Sequence, residues 1–540
     1  MNSILNILKK ELFRSYKNLK LKDNLPPFFI SYLYRNSCDT PIWGKYGDIY
    51  ESDTNRSAGI YVEVRIGDNE FDNTISGGLY KNSTGEDSFP WIKAPVENED
   101  NGLIHTLWRL TDYKYKEALV EYYQKKSQMV KEILTHKAPI DFSIEKSHVS
   151  KKKLSHLKLP IKDWENLLKK YSKYFKKYQS INNSYISINS RNIHKYYVNS
   201  EGSEITSEET GIGVRIVAQA LAFDGMFVER EWNEVFAKVE EFPCEDFIEK
   251  KVEEIISEVH QLIKAEVLKP YVGPAILYPS AAGIFFHEAI GHRLEGERLL
   301  SPGEGQTFKG KINTRILPEF ISMYDDPLLK EFQGKSLMGH YLYDDEGIPA
   351  ERVTLIENGI LKNFLLSRAV VENFDKSNGH ARAAYHEDPI ARMANLIVKS
   401  SVEYDQEKLK KLLTEEIEKQ KKEFGLIIKE AKSGETNTNR YNFQAFKGQP
   451  TMVYMFDPSS GEETLVRGTE FIGTPLTSVQ KVIATGNDYE RINGFCGAES
   501  GFIPVSTIVP TILISEVEMQ RSHEVNLQPV ILSPPWWRKK

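Results

Sequence analysis

The sequence predicts an α+β protein, with an N-terminal mixed α/β domain followed by a β-sheet-rich domain. The chain has 540 residues, of which 40% are hydrophobic and 27% are charged, so it can bury more than one core. The first half mixes strand-like with helix-like segments, whereas hairpin signals dominate the second half. We therefore predict two domains, residues 1–270 and 271–540, with a boundary at the turn near 268–273.

The first 20 residues predict an amphipathic helix. Their apolar residues recur at helical spacing among lysines, and they contain neither a long apolar run nor a small-residue cleavage site. This pattern favours a structural helix over a signal peptide. No segment approaches the roughly 18 uninterrupted apolar residues that a membrane-spanning helix needs. We therefore expect a cytoplasmic protein without a membrane span.

Charge and cysteine content narrow the function classes. The net charge of -6, from 70 basic and 76 acidic residues, provides no general basic field, so we expect no direct nucleic-acid binding. Three cysteines, at positions 38, 244 and 496, cannot form a dense disulfide framework and suit a reducing compartment. For Cys38 and Cys244 we predict ordinary buried thiols.

The first domain contains both strand and helix patterns. Residues 61–68 alternate in the manner of a strand, and 211–220 predict a strand that glycines open. The amphipathic pattern of 245–266 predicts a helix that closes the domain.

A Lys-rich stretch at about 104–180 predicts a helical insertion in the first domain. Helical spacing covers 104–134 and 161–179, with abundant Lys and Glu. Between these helices, the basic segment 144–159 predicts a solvated loop or helix end.

Hairpins dominate the second domain. Residues 353–368 place an Asn-Gly turn between apolar runs, and 451–468 repeat this plan around a Pro-Ser-Ser-Gly turn. One helix is predicted at about 405–424, where leucines form a stripe among charges. At the C-terminus, Trp536 and Trp537 predict an anchor on the chain's own domain or on a partner.

The most informative segment, 274–299, predicts a short strand that leads into an apolar helix with Ser280 as its N-cap. This helix carries His287, Glu288 and His292 in an H-E-x-x-x-H pattern. Ionisable side chains are costly in an apolar helix unless they are paired or bind a ligand. The pattern therefore indicates a metal site.

The spacing of the two histidines demands an irregular helix. Residues four apart differ by about 40° around a regular helix, whereas residues five apart, such as His287 and His292, differ by about 140°. A shared metal therefore predicts a π-bulge or an early helix end at 289–292, which Gly291 makes inexpensive. A regular helix there would count against a metal site.

A third ligand is needed because catalytic zinc commonly takes three protein groups. The candidates are Glu295 and Glu297 nearby and Cys496 far along the chain, where Gly494 and Gly497 permit a tight backbone approach. Glu295 is also expected as a hydrogen-bonding partner of a ligand histidine, and Cys496 as an ordinary buried thiol. The residues alone leave these alternatives open.

A peptidase also needs a group that stabilises a developing oxyanion. The loop 379–389 concentrates four candidates for this role or for support of the metal ligands: His380, Arg382, Tyr385 and His386. The sequence does not choose among them.

Five segments closely resemble the TldD/PmbA family of modulators of DNA gyrase, peptidase family U62, in order and spacing. The first half resembles this family more weakly, and the pairing of H-E-x-x-x-H with a later Cys is typical of its TldD-like catalytic branch. The five segments are HEAIGHRLEGE (287–297), DDEGIPAERVTLIENGILKNFLLSR (344–368), HEDPIARMAN (386–395), VRGTEFIGTPLTS (466–478) and CGAESGFIPVS (496–506).

The resemblance implies a zinc peptidase with one Zn²⁺ per chain. Its ligands would be His287, His292 and Cys496, and Glu288 would be the catalytic base that takes a proton from water. The implied fold is a β-rich catalytic domain that carries the metal-binding helix.

The resemblance also implies a substrate and a partner. The sheet-rich second domain predicts that unfolded proteins or extended peptides add as a strand to an exposed sheet edge, and this agrees with the peptide substrates that the resemblance implies. The chain would form a homodimer, or a heterodimer with a PmbA-like paralogue. Two alternatives remain: a non-catalytic regulatory or binding subunit of such a complex, and a metal-dependent amidase that acts on a small molecule.

Overall fold

The computed structural model describes residues 2–74, 93–97, 100–131, 140–301, 306–371, 373–385, 387–438 and 445–522. Its α-helices are α1 Asn2–Asn18, α2 Asp100–Lys131, α3 Ile161–Ser172, α4 Glu245–Lys264, α5 Pro279–Ala289, α6 Gln406–Lys419 and α7 Pro475–Val479. The strands of the first half are β1 Pro27–Lys45, β2 Asp48–Ser52, β3 Asn55–Ile66, β4 Val149–Lys151, β5 Ile181–Asn199, β6 Glu204–Leu221 and β7 Phe227–Phe236. Those of the second half are β8 Glu266–Val267, β9 Tyr271–Leu277, β10 Ile321–Asp325, β11 Glu331–Phe332, β12 Lys335–Ser336, β13 Val353–Glu357, β14 Ile360–Leu361, β15 Ala381–Arg382, β16 Ile390–Ala391, β17 Asn395–Ser400, β18 Gly425–Thr436, β19 Phe446–Phe456, β20 Glu463–Arg467, β21 Thr469–Gly473, β22 Val482–Thr485, β23 Glu490–Ala498, β24 Gly501–Val509 and β25 Ile512–Arg521.

The first half is one sheet built on three long antiparallel strands, β1, β5 and β6. Both β2 and β3 pair with the outer edge of β1, and both β4 and β7 pair with the outer edge of β6. Alternate residues of each strand point to opposite faces, so the sheet can pack on both sides.

Helices cover one face of this sheet. Ile42, Ile188 and Val214 are completely buried in one apolar cluster with Leu168 of α3 and Val252 of α4. Residues of α1 and α2 form a second apolar cluster with the same face. The opposite face carries a small cluster that packs against Tyr343 of the second half.

Ion pairs join that opposite face to the second half. Asp345 lies 3.0 Å from an Arg35 guanidinium nitrogen and 3.1 Å from Lys195 Nζ. Burial alone would raise the pKa of Asp345, but the charges of Lys195 and Arg35 hold that pKa well below its ordinary value. Arg368, which is almost fully buried, pairs with Glu201 at 2.7 Å. These charged contacts fix how the two halves meet.

The second half contains two large sheets. Five strands of the first sheet, β9, β18, β19, β21 and β25, close into a ring through successive pairings. The other sheet has the order β14-β13-β10-β17-β24-β23. Helix α5 is buried between them: Gly283 faces β23 and β24, and Ile284 lies against Gly434 of β18.

The structure confirms the predicted α+β class and most predicted elements. Asn358 and Gly359 have φ values of 48° and 77°, which the turn between β13 and β14 requires. In the predicted loop 144–159, β4 pairs with β6. Among the helices that the structure describes, none combines the length and apolarity that a membrane crossing requires.

Predictions about three residues are wrong. Cys244 is exposed, because it stands at the N-cap position of α4 where the chain turns onto the helix, and Cys38 is only partly buried. Ser280 lies inside α5, which begins at Pro279. Trp536 and Trp537 lie outside the described residues, and the division into two domains stays a prediction.

Candidate metal centre

Helix α5 begins where β9 leaves the ring of strands. Its first residue is Pro279, which has no N–H group to leave unpaired and a fixed φ suited to the first turn. The Ser280 hydroxyl lies 3.1 Å from the Ala431 carbonyl oxygen on β18. This contact ties the start of α5 to the neighbouring strand.

The C-terminal end of α5 is irregular where the histidine spacing predicts it. The helix ends at Ala289, Ile290 departs from helical geometry with φ -122° and ψ -48°, and Gly291–Leu294 form a 3₁₀ turn. The His287 and His292 rings consequently lie with centroids 4.9 Å apart. Space at Gly291 is tight, because an added Cβ would overlap with the Met393 sulfur, so a larger residue there would require Met393 to shift.

Strand β23 brings the third donor to these two rings. Cys496 Sγ lies 3.2 Å from His287 Nε2 and 3.3 Å from His292 Nε2. We call His287, His292 and Cys496 the His–Cys cluster; their donor atoms all lie within 4.8 Å of one another. Tetrahedral zinc with ordinary bond lengths separates a nitrogen from a sulfur ligand by about 3.6 Å. The donor set and its spacing therefore fit one zinc ion.

The three side chains of the cluster shift one another's pKa values. Burial would raise the pKa of Cys496, but charges on His292, His287 and Arg392 lower it well below its ordinary value. Burial would lower the pKa of His292, but the Cys496 and Glu295 charges raise it. The surroundings therefore favour a thiolate, which is the form of cysteine that binds metals.

Glu295 holds His292 in place rather than joining the cluster. Both of its oxygens lie 3.1 Å from His292 Nδ1, and Arg298 Nη2 donates to it at 2.8 Å. Burial raises the pKa of Glu295, but His292 and Arg298 bring it to about 2. A carboxylate on Nδ1 leaves Nε2 of the ring available to a metal.

Glu297 also lies away from the cluster. Its carboxyl group accepts from the Ala391 N–H at 3.0 Å and is hydrogen-bonded to the Ser367 hydroxyl. Burial raises the pKa of Glu297 to about 7, because the hydrogen bonds from Ser367 and Ala391 offset only part of the effect of desolvation.

Arg392 is the residue that sequence reasoning missed. It is completely buried, and its Nη2 lies 2.8 Å from the Cys496 carbonyl oxygen and 3.2 Å from Cys496 Sγ. Its Nε lies 3.4 Å from Glu295 Oε1. It belongs to the segment 386–395, which carries part of the family resemblance, but nothing local in that segment indicates contact with residues about 100 positions away.

Glu288 is 8% exposed and directly follows His287. Gly434 of β18 lies so close that an added Cβ would be 2.5 Å from Glu288 Cγ and 2.9 Å from Oε1. Arg293 Nη1 donates to the Glu288 carbonyl oxygen at 2.7 Å and to Thr436 Oγ1 at 2.8 Å. Strand β18 and Arg293 thus fix the last turn of α5 and confine the Glu288 side chain.

Three of the four predicted oxyanion candidates make other contacts. His380 Nε2 lies 3.3 Å from Asp325, and Arg382 donates to the Met393 carbonyl at 2.8 Å. Tyr385 is 40% exposed, and its carbonyl oxygen accepts from Arg35. Within the described residues, no hydrogen bond joins these side chains to the His–Cys cluster, and their catalytic role stays a prediction.

The fourth candidate, His386, lies outside the described residues.

Comparison with known proteins identifies relatives of this chain. Residues 271–521 match the family described as PmbA/TldA metallopeptidase C-terminal domain. A metalloprotease from Archaeoglobus fulgidus is 30% identical over 323 residues, which are 59% of this chain and 68% of that protein. A zinc metalloprotease TldD homologue from Saccharolobus solfataricus is 28% identical, over 60% of this chain and 68% of that protein. A metalloprotease from Methanocaldococcus jannaschii is 31% identical, but the match spans 45% of this chain and only half of that protein.

Solved structures share the fold over nearly the whole chain. A candidate modulator of a DNA gyrase from Thermotoga maritima superposes with a TM-score of 0.63 and 15% identity, covering 95% of this chain and 99% of that one. TldE from Thermococcus kodakarensis gives a TM-score of 0.59 and 14% identity, covering 96% and 100%. At such low sequence identity, these superpositions show the shared fold alone. The family is shown by the metalloprotease from Archaeoglobus fulgidus, which is 30% identical over 68% of its length. The chain therefore belongs to the PmbA/TldD family of metallopeptidases.

Proposed function

We propose that this chain is a zinc-dependent peptidase that hydrolyses unfolded or extended peptides. The observation that carries the proposal is the convergence of the His–Cys cluster, within 4.8 Å, with Glu288 directly after the ligand His287 on α5. Family membership and the names of the metalloprotease relatives support it. One zinc ion per chain would be held by His287, His292 and Cys496.

When bound, zinc would supply Lewis acidity, which acidifies water and polarises a carbonyl group. Glu288 would act as the general base that accepts the proton of the attacking water and passes it to the leaving amine. The Glu288 side chain extends from α5 and is confined by Gly434 of β18, which lies close to it. No hydrogen bond from a described residue occupies its carboxylate, which leaves both oxygens available to water.

Strand β23 supports an extended substrate. Within the described residues, β23 has β24 as its one strand partner, and Phe495 and Gly497 on either side of Cys496 are exposed, so we place the approach of a peptide main chain there. Main-chain pairing gives affinity with little sequence preference. Folded proteins already satisfy their main-chain groups internally, so unfolded segments are the expected substrates.

We also propose a dimer, formed with a second copy or with a PmbA-like paralogue. The fold shared with TldE from Thermococcus kodakarensis supports a partner of this family. Light scattering of the purified chain, alone and mixed with such a paralogue, measures which pairing occurs. A cytoplasmic location stays a prediction.

The deciding experiment measures zinc content and casein cleavage for the wild type, Glu288→Gln and Glu435→Gln. Glu435 is an exposed carboxylate on β18 and serves as the matched control. We expect about one zinc per chain in all three proteins and a loss of at least about 100-fold in cleavage for Glu288→Gln alone. A wild type without zinc would overturn the proposal. Zinc without cleavage, for the chain alone and with a paralogue, would favour the non-catalytic subunit.

A further inference from the structure

We propose that Arg392 is a positioning residue of the metal centre, which donates to the Cys496 sulfur and links it to the carboxylate that orients His292. The inference rests on the proposed function in taking the His–Cys cluster as the metal ligands. It adds a residue and a role that neither the sequence pattern nor the relatives' names assign.

The two terminal guanidinium nitrogens of Arg392 bind the strand and the turn that position the Cys496 thiol. One guanidinium nitrogen, Nη2, reaches the Cys496 carbonyl oxygen at 2.8 Å and Cys496 Sγ at 3.2 Å. The other, Nη1, reaches Ser500 Oγ at 2.7 Å and the Gly501 carbonyl oxygen at 3.1 Å. Ser500 lies in the turn between β23 and β24, and Gly501 is the first residue of β24. A single side chain thereby fixes both the position and the orientation of the sulfur.

The third guanidinium nitrogen of Arg392, Nε, connects Cys496 to His292 through Glu295, independently of a bound metal. Arg392 Nε lies 3.4 Å from Glu295 Oε1, and the Glu295 carboxylate lies 3.1 Å from His292 Nδ1. The two ligands on different elements, β23 and the 3₁₀ turn after α5, therefore share one support, which is hydrogen-bonded to Cys496 and ion-paired with Glu295. A buried guanidinium is expensive unless it is paired, and here the thiolate and Glu295 provide the opposite charges.

The backbone of Arg392 is itself held firmly. Its N–H donates to the His380 carbonyl oxygen at 2.9 Å, and the preceding N–H, of Ala391, donates to Glu297 at 3.0 Å. Strand β16, which ends at Ala391, pairs with β15. The guanidinium is thus presented from a rigid base, as a positioning role requires.

Donation to a sulfur ligand has a chemical consequence. An N–H hydrogen bond withdraws electron density from a thiolate and makes it a weaker donor to a metal. A thiolate donates more charge than a neutral histidine, so this hydrogen bond would restore part of the Lewis acidity that a cysteine ligand costs. Partners of ligands typically contribute about 10-fold to 100-fold to metal affinity.

The test uses Co²⁺ as a spectroscopic probe in the full-length chain. Arg392→Met keeps much of the side-chain volume but removes every donor, and Arg392→Lys retains the charge with one donor group. Arg298→Met is the matched control, because Arg298 also donates to Glu295 but makes no hydrogen bond to Cys496 among the described residues. The readouts are the energy of the thiolate-to-cobalt charge-transfer band and the zinc affinity measured by chelator competition.

We expect the band to move to lower energy in Arg392→Met, to move less in Arg392→Lys, and to stay unchanged in Arg298→Met. Zinc affinity should fall about tenfold or more in Arg392→Met, because the lost positioning of Cys496 and Glu295 outweighs the stronger donation of a thiolate without its hydrogen bond. Bands that coincide in the wild type and both Arg392 variants would overturn the inference. If Arg392→Met fails to fold, as judged by circular dichroism, the Arg392→Lys band decides.

The proposed function can fail separately. A wild type that binds Co²⁺ without a thiolate band removes the ligand assignment, and the inference falls with it. A wild type with the band but without peptidase activity removes the peptidase proposal, and the Arg392 comparison still gives its answer.

Discussion

Two buried histidines of this protein, each beside a carboxylate, differ in what their second ring nitrogen contacts. His292 places Nδ1 3.1 Å from Glu295 and Nε2 3.3 Å from Cys496 Sγ. His380 places Nε2 3.3 Å from Asp325 and Nδ1 3.0 Å from a backbone carbonyl oxygen. Of the two rings, His292 directs a nitrogen at other metal-binding side chains, whereas His380 uses both nitrogens within a hydrogen-bonded loop.

A histidine–carboxylate pair therefore does not by itself indicate a metal site. The carboxylate selects which nitrogen carries the proton, and the other nitrogen then decides the role of the ring. A ring whose two nitrogens are both engaged with the protein cross-links the structure.

The carboxylates repeat this contrast. Asp325 accepts the backbone N–H of Ala394 at 3.0 Å and that of Asn395 at 3.2 Å, besides its contact with His380. The carboxylate of Glu288 accepts no hydrogen bond from a described residue. An acid whose oxygens are engaged supports the fold, and one with available oxygens can act on a water molecule.

The largest expected effect is on zinc content, when each of the two histidines is replaced separately by asparagine. His292→Asn should lose zinc and peptidase activity, because two donors hold a metal far more weakly than three. His380→Asn should retain about one zinc per chain and lose about 1–3 kcal/mol of unfolding free energy, because it leaves buried groups unpaired. Elemental analysis and urea unfolding measure both. Equal zinc loss in the two variants would erase the distinction between the rings.

The next largest effect distinguishes the two carboxylates that contact these histidines, Glu295 and Asp325, by their influence on zinc affinity. Glu295→Gln should weaken zinc binding about 10-fold to 100-fold, because the neutral amide no longer polarises and orients His292. Asp325→Asn should leave zinc affinity unchanged and lower stability instead. Chelator competition gives the affinities, and a weakened affinity in Asp325→Asn would contradict the separation.

A smaller effect, on kcat, is expected when the Glu288 side chain is displaced. Gly434→Ala should push the Glu288 side chain aside and lower kcat about tenfold, while zinc content stays the same, since misplaced catalytic groups cost rate rather than binding. Gly213→Ala in β6 is the control, because its added Cβ would meet only ordinary contacts at 3.8 Å or more. An unchanged kcat in Gly434→Ala would argue against Glu288 as the base.

The smallest effect is a pH slope that distinguishes Glu297 from Glu295. Burial raises the folded-state pKa of Glu297 to about 7, so between its ordinary pKa, near 4.5, and pH 7 the folded state holds more protons than the unfolded state. The contribution of Glu297 to stability should therefore fall as pH rises through this window, by at most about 1.4 kcal/mol per pH unit.

Glu297→Gln should reduce the slope in urea unfolding of the metal-free protein, and part of the slope that remains comes from Asp344 and Glu346, whose pKa values burial also raises. The low pKa of Glu295, about 2, contributes stability that is complete above its ordinary pKa and is lost only in more acidic solution. Glu295→Gln should accordingly leave the slope between pH 4.5 and 7 in place. A wild type without that slope would contradict the assignment of Glu297.

Much of the fold could be predicted because its signals are local. Periodicity predicted α1, α4 and α6, and the Asn-Gly pair at 358–359 predicted the turn between β13 and β14. The break after α5 was predictable too, since two histidines five residues apart cannot face one point on a regular helix. The pairing order of strands could not be predicted, because each pairing joins segments far apart in the chain.

The oxyanion candidates show the limit of reasoning from sequence proximity. His380, Arg382 and Tyr385 are close in the chain, yet their hydrogen bonds lead to Asp325, Met393 and Arg35. Arg392 was overlooked, although its guanidinium reaches Cys496 and Glu295. Neighbours in sequence can face different directions in a loop, and long side chains reach partners that no local pattern records.

The amino-acid sequence alone was sufficient to predict the α+β class, the family, the two histidines and the irregular helix end, because these depend on composition and on spacing within one element. Folding was needed to bring Cys496 to the two rings, to place Glu295 behind His292, and to bury Arg392 between them. These contacts join α5, the turn after it, the residue that follows β16, and β23, and they depend on how the sheets pack around α5. A side chain's chemistry is inherent in its type, but the pKa, the free nitrogen and the available oxygen that make it functional are properties of its neighbours in space.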